Sequence, residues 1–233
     1  MVALKAACSL CGSKVPRADC RRCGTLQLSL FAEPPPPVPD DAETVTIDEL
    51  AEASRRADAE RRAQVDRLKG LGRPVRIGLV GCSKNKRSAP APARELYLGP
   101  LFRAALGYAA LVADETYVVS AFHGLVPLDQ VIGPYDRSIE DLKKKERLPW
   151  GDRVVESVAA RLPGLRPELH ILAGSGYHVP LHVAAITRGW TTVSPLAGLP
   201  VGRRLQWLKS ETAALEAARK RRRPRRSAHD RRA

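Results

Sequence analysis

Val75-Arg-Ile-Gly-Leu-Val80 runs directly into Gly81-Cys82-Ser83-Lys84-Asn-Lys86-Arg87, so a mostly apolar stretch is broken abruptly by glycine and positive charge. A short, proline-free, Val/Ile/Leu-rich run of this length reads as a buried strand. Outward from it the same grammar repeats. A helical pattern covers about Pro100 to Leu111, and Thr116-Tyr-Val-Val-Ser120 reads as a second strand. Ser138 is placed to cap a helical region reaching Leu162, interrupted near Pro149, and Leu169-His-Ile-Leu-Ala173 is a third strand. A helix from about Val179 to Arg188, a short strand Thr191–Val193 and a helix from Val201 to Lys220 complete the series. Strands alternating with helices predict an α/β domain over residues 73–218 with a mostly parallel sheet, helices covering both faces.

In such sheets ligands bind beyond the carboxyl ends of the strands. Three exits stand out: Gly81-Cys82-Ser83-Lys84-Asn-Lys86, Ser120-Ala-Phe-His123-Gly124, and Ala173-Gly174-Ser-Gly176-Tyr177. Their glycines permit close backbone approach, their lysines bring charge, and His123 and Tyr177 offer donors or a stacking face. Known phosphate loops do not fit: Gly78 and Gly81 lie too close together for a Walker loop, no G-x-G-x-x-G follows the strand, and no H-x-E with P-C-x-x-C suggests a zinc deaminase.

Gly81-Cys82-Ser-Lys84-Asn-Lys86, Ala93-Arg94-Glu-Leu-Tyr97, Ser120-Ala-Phe-His123-Gly124-Leu125, Pro134-Tyr135-Asp136 and Gly202-Arg203-Arg-Leu-Gln206-Trp207-Leu together resemble a widespread bacterial and phage family of unknown function, over about residues 75 to 210. More distantly, Cys82 and Lys86 are similar to the Cys and Lys of the P-C-x-x-x-K-P-Y-S motif in the uracil-DNA-glycosylase-like domain of archaeosine synthase. Here Gly81 replaces the Pro, and Arg87-Ser88 replaces the Pro-Tyr-Ser continuation. A looser likeness to the DNA-binding peroxide-stress protein YaaA points the same way. Both resemblances imply nucleic acid and its bases as partners.

On this reading Lys86 holds a phosphate or acts as a nucleophile, His123 orients water or protonates a leaving base, and Asp136 activates the water. Cys82, Ser83, Lys84, Ser120, Tyr135, Gly174 and Tyr177 would contact substrate, Tyr177 by stacking on an extruded base. Blander readings stand beside these. Cys82 suits a small buried side chain, His123 a constrained turn before Gly124, and Tyr135 and Asp136 a turn after Pro134. His170 reads as core, His178 and His182 as packing or rim residues, and Trp207 and Leu208 as packing for the last helix.

Upstream, Cys8-Ser-Leu-Cys11-Gly and Cys20-Arg-Arg-Cys23-Gly are two C-x-x-C-G knuckles, within residues 1–30. Four soft ligands suit a closed tetrahedral structural zinc site; a dithiol redox pair and a pair of disulfides are the alternatives. The segment resembles short double-knuckle zinc ribbons. Residues 31–45 hold the stiff spacer Glu33-Pro-Pro-Pro-Pro-Val-Pro39, and Thr46-x-x-Glu49 is a capping box opening a connecting helix within 46–72, whose apolar face is only Ile47, Leu50, Val65 and Leu68.

Charge completes the picture. Lys plus Arg number 39 against 25 Asp plus Glu, a net +14, yet nine of those cations and one aspartate lie in residues 219–233, leaving +6 upstream. Arg219, Lys220, Arg221, Arg222, Arg223, Arg225 and Arg226 therefore read as a disordered, nonspecific nucleic-acid grip. No apolar run approaches a membrane span and Met1–Leu10 lacks a signal segment, so a soluble, cytoplasmic protein without a membrane partner is expected. The expected function is processing of a nucleobase in DNA or RNA, glycosylase-like or base-modifying. The alternatives are a noncatalytic nucleic-acid-binding protein and a nucleoside or nucleotide hydrolase.

Overall fold

A computed structural model of the chain describes residues 46–222, divided into one unit ending at Ala53 and a second beginning at Ser54. The cysteine knuckles, the proline spacer and Arg223, Arg225 and Arg226 lie outside the described residues.

Helix α1 (Ile47–Lys69) contains the division between the units. In the first unit its start is the expected capping box: Glu49 N donates to Thr46 Oγ1 at 3.2 Å and Thr46 N donates to Glu49 Oε2 at 2.7 Å. In the second unit the later turns of α1 bury Val65 and Leu68, and Arg67 pairs with Glu115 at 3.0 Å.

The second unit holds strands β1 (Arg76–Gly81), β2 (Ala91–Pro92), β3 (Glu115–Ser120), β4 (Gly124–Pro127), β5 (Val131–Ile132), β6 (Glu168–Leu172) and β7 (Thr191–Val193). Its further helices are α2 (Ala93–Leu96), α3 (Pro100–Val112), α4 (Lys144–Arg161), α5 (Ser175–Thr187) and α6 (Val201–Arg222). The five-stranded sheet runs β4-β3-β1-β6-β7, all neighbours parallel except the β3–β4 edge; β2 and β5 form a separate antiparallel pair.

Alternation along the strands divides the core in two, because successive side chains point to opposite faces. Ile77, Leu79, Val119, Leu169 and Ile171 pack with Trp150, Val154 and Val158 of α4 and Leu181 of α5. Val80, Val118 and Leu172 pack with Phe102, Ala105 and Ala109 of α3 and Leu208 of α6. The α3 crossover from β1 to β3 thus lies on one face, and the α4 connection onward to β6 lies on the other. The order reverses at β1, which opens a crevice between the carboxyl ends of β1 and β6.

Four expectations are corrected. Ser120 does not lead into an open loop: Ala121-Phe122-His123 form a three-residue hairpin turn into β4, with Gly124 at φ 72°. Pro149 does not interrupt α4, which passes through it because its next two residues anchor the helix. Trp150 Nε1 donates to Ser120 O at 3.1 Å, and Gly151 lies against the backbone of Pro180. Helix α5 starts at Ser175 rather than Val179, since Gly174 O accepts Tyr177 N and His178 N at 3.0 and 2.9 Å. Helix α6 runs to Arg222, two residues beyond the expected end.

The α4–α5 contact yields the first prediction. A Cβ on Gly151 would sit 2.4 Å from Pro180 O, a backbone atom that cannot swing away. Gly151→Ala should lower unfolding free energy by about 1–3 kcal/mol in urea titration, and an unchanged midpoint would refute this close approach.

Candidate functional site

The loop after β1 is strapped back on itself. Lys86 forms an isolated antiparallel bridge with Tyr97, Arg87 N donates to Leu96 O at 2.8 Å and Leu98 N donates to Asn85 O at 2.9 Å. Ser83 Oγ accepts from Gly99 N at 3.2 Å and donates to Asn85 O at 2.8 Å. Ser83 therefore shapes the loop, and Gly99 is required there because an added Cβ would stand 2.8 Å from Ser83 Cβ.

This loop borders a cavity of about 700 Å³ at the crevice. Cys82, Ser83, Lys84, Lys86, Asp136, Gly174 and Tyr177 all line it. So do Arg137, Glu140, Asp141 and Arg204, to which sequence reading assigned no role. Four cations thus share one hollow with three carboxylates. Asp141 is committed, since its Oδ2 accepts Ser138 N at 2.6 Å. Arg204 is braced by donation from Nε to Leu199 O at 2.9 Å. Leu101, Phe102, Ala105, Leu172 and Leu196 supply an apolar wall. The signal that could have found Arg204 was its place in the Gly202-Arg-Arg-Leu-Gln206 motif; nothing in the local pattern marks Arg137.

Ser120 and Tyr135 do not line the cavity and belong to its support. Ser120 Oγ, fully buried, accepts Phe122 N and His123 N at 3.1 and 3.0 Å and donates to Tyr135 Oη at 2.7 Å. Tyr135 Oη meets Tyr97 Oη at 2.9 Å. The Tyr135 ring held by this chain lies 4.2 Å from Lys86 Nζ, a cation–π contact, and Lys86 Nζ also donates to Lys84 O at 3.3 Å. Lys86 is thereby fixed at the cavity margin instead of trailing into solvent.

His123 is exposed and does not line the cavity. Its ring stands edge-on to Phe122 and Tyr135, centroids 4.8 and 5.0 Å away, and partial desolvation there lowers its pKa below the ordinary imidazole value. Cys82 touches both core clusters, with Sγ 3.1 Å from Tyr177 Oη, and the Tyr177 ring packs against Trp150. His178 and His182 stack on each other, and His182 Nδ1 meets Thr192 Oγ1 at 2.7 Å. Among the described residues no group of three or more His, Cys, Asp or Glu could hold a metal, and no helix is long and apolar enough to cross a membrane. Arg219, Lys220 and Arg221 lie exposed on the last turns of α6, and Arg222 ends it.

Burial pushes the Tyr97 phenol up to about 12. Burial also raises Tyr135 and Tyr177, the neighbouring Cys82 sulfur adding to the shift. Tyr108 and Tyr117 move the same way, again chiefly by burial. A phenol whose folded pKa exceeds its unfolded value adds stability below the unfolded pKa, and that stability is lost as pH rises through the folded pKa. Unfolding free energy should therefore fall above about pH 10, with phenolate absorbance rising together with loss of helical circular dichroism. Absorbance completed while the helices persist would contradict it. Ser120→Ala strands two backbone N–H groups and removes one of the two hydroxyl partners of Tyr135, and should reduce stability by about 2–3 kcal/mol; Tyr97→Phe, which removes one bond, should cost about 1 kcal/mol on the same urea titration.

No curated protein and no solved structure matches the chain. A model for a family described as Family of unknown function (DUF6884) matches residues 77–210, a span that includes all but the first residue of β1, the cavity and the first turns of α6. That match covers more than half of the chain, and the protein belongs to this family.

Proposed function

We propose that the protein acts on a nucleobase of DNA or RNA, receiving one nucleotide unit in the cavity at the β1–β6 crevice. The observation that carries the reading is the cavity's composition: Lys84, Lys86, Arg137 and Arg204 on the margin of a hollow that also has an apolar wall and free carboxylate groups. A phosphate suits the cations, the flat face of a base suits Leu101, Phe102 and Ala105, and neither alone needs both. The distant likeness of Cys82 and Lys86 to the uracil-DNA-glycosylase-like domain of archaeosine synthase, and the looser likeness to YaaA, support the same substrate class.

In this reading Lys86 fixes the phosphate and Asp136 takes a proton from a water that attacks the sugar C1′, while the base leaves with the electron pair of the glycosidic bond and is protonated. His123, beyond Tyr135, stands outside the group of lining residues, so the proton for the leaving base comes from solvent or from a cavity acid rather than from its ring. Cys8, Cys11, Cys20 and Cys23 are assigned to one structural zinc ion and the Arg-rich end to nonspecific contact with the polyanion.

Incubation with modified DNA and tRNA, followed by chromatography of released bases, tests the chemistry; nucleotide binding is followed in parallel by calorimetry. Lys86→Ala should weaken nucleotide affinity roughly tenfold to a hundredfold, and Asp136→Asn should cut base release by about 10²–10⁴ with little effect on affinity. Loss of affinity without any released base would establish a binding protein in place of an enzyme. If neither variant changed either measurement, the cavity would not be the site.

A further inference from the structure

A second surface of the fold carries charge that the cavity does not use. Helices α3 and α6 pack side by side and leave between them a groove lined at one end by Arg103, Ala104, Gly107, Lys209, Ala213 and Glu216. At its other end it is lined by Leu111, Glu216, Arg219 and Lys220. Glu216 borders both, so the two hollows, about 510 and 740 Å³, follow one another along the helices.

Helical phase explains the alignment. Lys209, Ala213, Glu216 and Lys220 recur at intervals of four, three and four, which places them on one stripe of α6. Arg103, Gly107 and Leu111 recur at intervals of four along α3. The floor is made of small residues, and the cations stand on its margins. From Lys209 to Lys220 the stripe spans about 16 Å at the α-helical rise. Arg103, Lys209, Arg219 and Lys220 are all exposed. Among the described residues none of the four has an ion-pair partner within 4.0 Å, whereas Arg67, Arg73 and Arg94 elsewhere on the domain do. Four cations facing a single carboxylate, in a linear depression, complement a row of phosphates. The chain's own C-terminal residues 223–233, with five arginines and one aspartate, carry the wrong sign to cover it.

We infer that the α3–α6 groove binds the sugar-phosphate backbone of one nucleic-acid strand, with Arg103, Lys209, Arg219 and Lys220 as its phosphate contacts. The inference rests on nucleic acid being the substrate, and it adds a track on the folded domain that is separate from the base cavity. Because only the backbone is contacted, binding is independent of sequence and salt-sensitive, each phosphate contact contributing about 0.7 to the slope of log K against log salt for a single strand.

The test measures binding of a fluorescent single-stranded oligonucleotide to the full chain by anisotropy across a salt series. Arg103→Gln with Lys209→Gln should lower the magnitude of the slope by about 1.4. Glu216→Gln, which removes the one opposing charge, should tighten low-salt binding roughly twofold to fivefold, a gain that a misfolded variant cannot imitate. The groove is refuted if the slope of the double variant equals that of the parent chain, or if Glu216→Gln leaves affinity unchanged. It is equally refuted if the parent chain binds no oligonucleotide, or if anionic vesicles or polyglutamate of equal charge bind with the same dependence on these residues. Lys86→Ala, measured for mononucleotide affinity alongside, separates the two ideas. An unaltered salt slope with lost mononucleotide affinity overturns the groove alone. The expected slope change with unaltered mononucleotide affinity supports the groove and overturns the cavity.

Discussion

The Ser120 hydroxyl is the point on which the cavity edge hangs. A hydroxyl has one proton to give and two lone pairs to fill, and here all three are used: two backbone N–H groups of the hairpin turn donate to it, and it donates to Tyr135. The carbonyl of the same residue accepts Trp150 from α4. One buried residue therefore ties together the end of β3, its turn, the segment carrying Tyr135 and Asp136, and the helix on the opposite face of the sheet. Through Tyr135 the chain continues to Tyr97 and, by the ring face, to Lys86. Unpaired, any of these polar groups would be costly at this depth. Their mutual satisfaction is what holds a cation at a fixed place in a loop that has no regular structure of its own.

The reversal of strand order at β1 sets where such a loop can matter. With α3 crossing on one face and α4 on the other, neither crossover helix closes the space beyond the carboxyl ends of β1 and β6, and the polypeptide there is shaped by short-range contacts. Two of those contacts demand glycine. Gly81 abuts Ala173, where a Cβ would come within 2.9 Å of the alanine methyl, and Gly99 abuts Ser83. The first approach brings the β1 and β6 exits together at the hollow, and the second holds the β1 loop against the segment before α3, so small residues shape the site beside the charged ones that line it.

Much of this was legible in the chain, because strand exits are marked by an abrupt change from apolar to glycine and charge. Cys82, Lys84, Lys86, Gly174 and Tyr177 carry that mark, and all five border the cavity. The mark misleads when the change in polarity has a different cause. Ser120-Ala-Phe-His-Gly124 has the same appearance, but Gly124 turns the chain into an antiparallel strand only four residues long, ending in Pro127, too short and too interrupted to show alternation. Its serine and histidine consequently read as ligand-facing, while the hydroxyl is spent on the turn and the imidazole lies outside the lining. Arg204 and Arg137 escaped notice for the opposite reason. Neither follows a strand, and each reaches the hollow only through tertiary placement, Arg204 from the first turn of α6 and Arg137 from the segment before the Ser138 cap.

Helix α3 shows how far that tertiary placement extends. Leu101, Phe102 and Ala105 on one side of it form the apolar wall of the cavity, while Pro100, Arg103, Ala104 and Gly107 on another side border the groove against α6. Thirteen residues with a single charged side chain therefore separate two hollows of different character, one mixed in charge and enclosed by loops, the other cationic and linear. Because α6 contributes Arg204 to the first and Lys209 to the second, a shift of α3 against α6 would change both at once. The aromatic contact of Tyr108 with Trp207, centroids 5.3 Å apart, opposes such a shift and keeps the pair in register. The packing of these two helices therefore sets the position of Arg204 at the cavity and of Lys209 at the groove together.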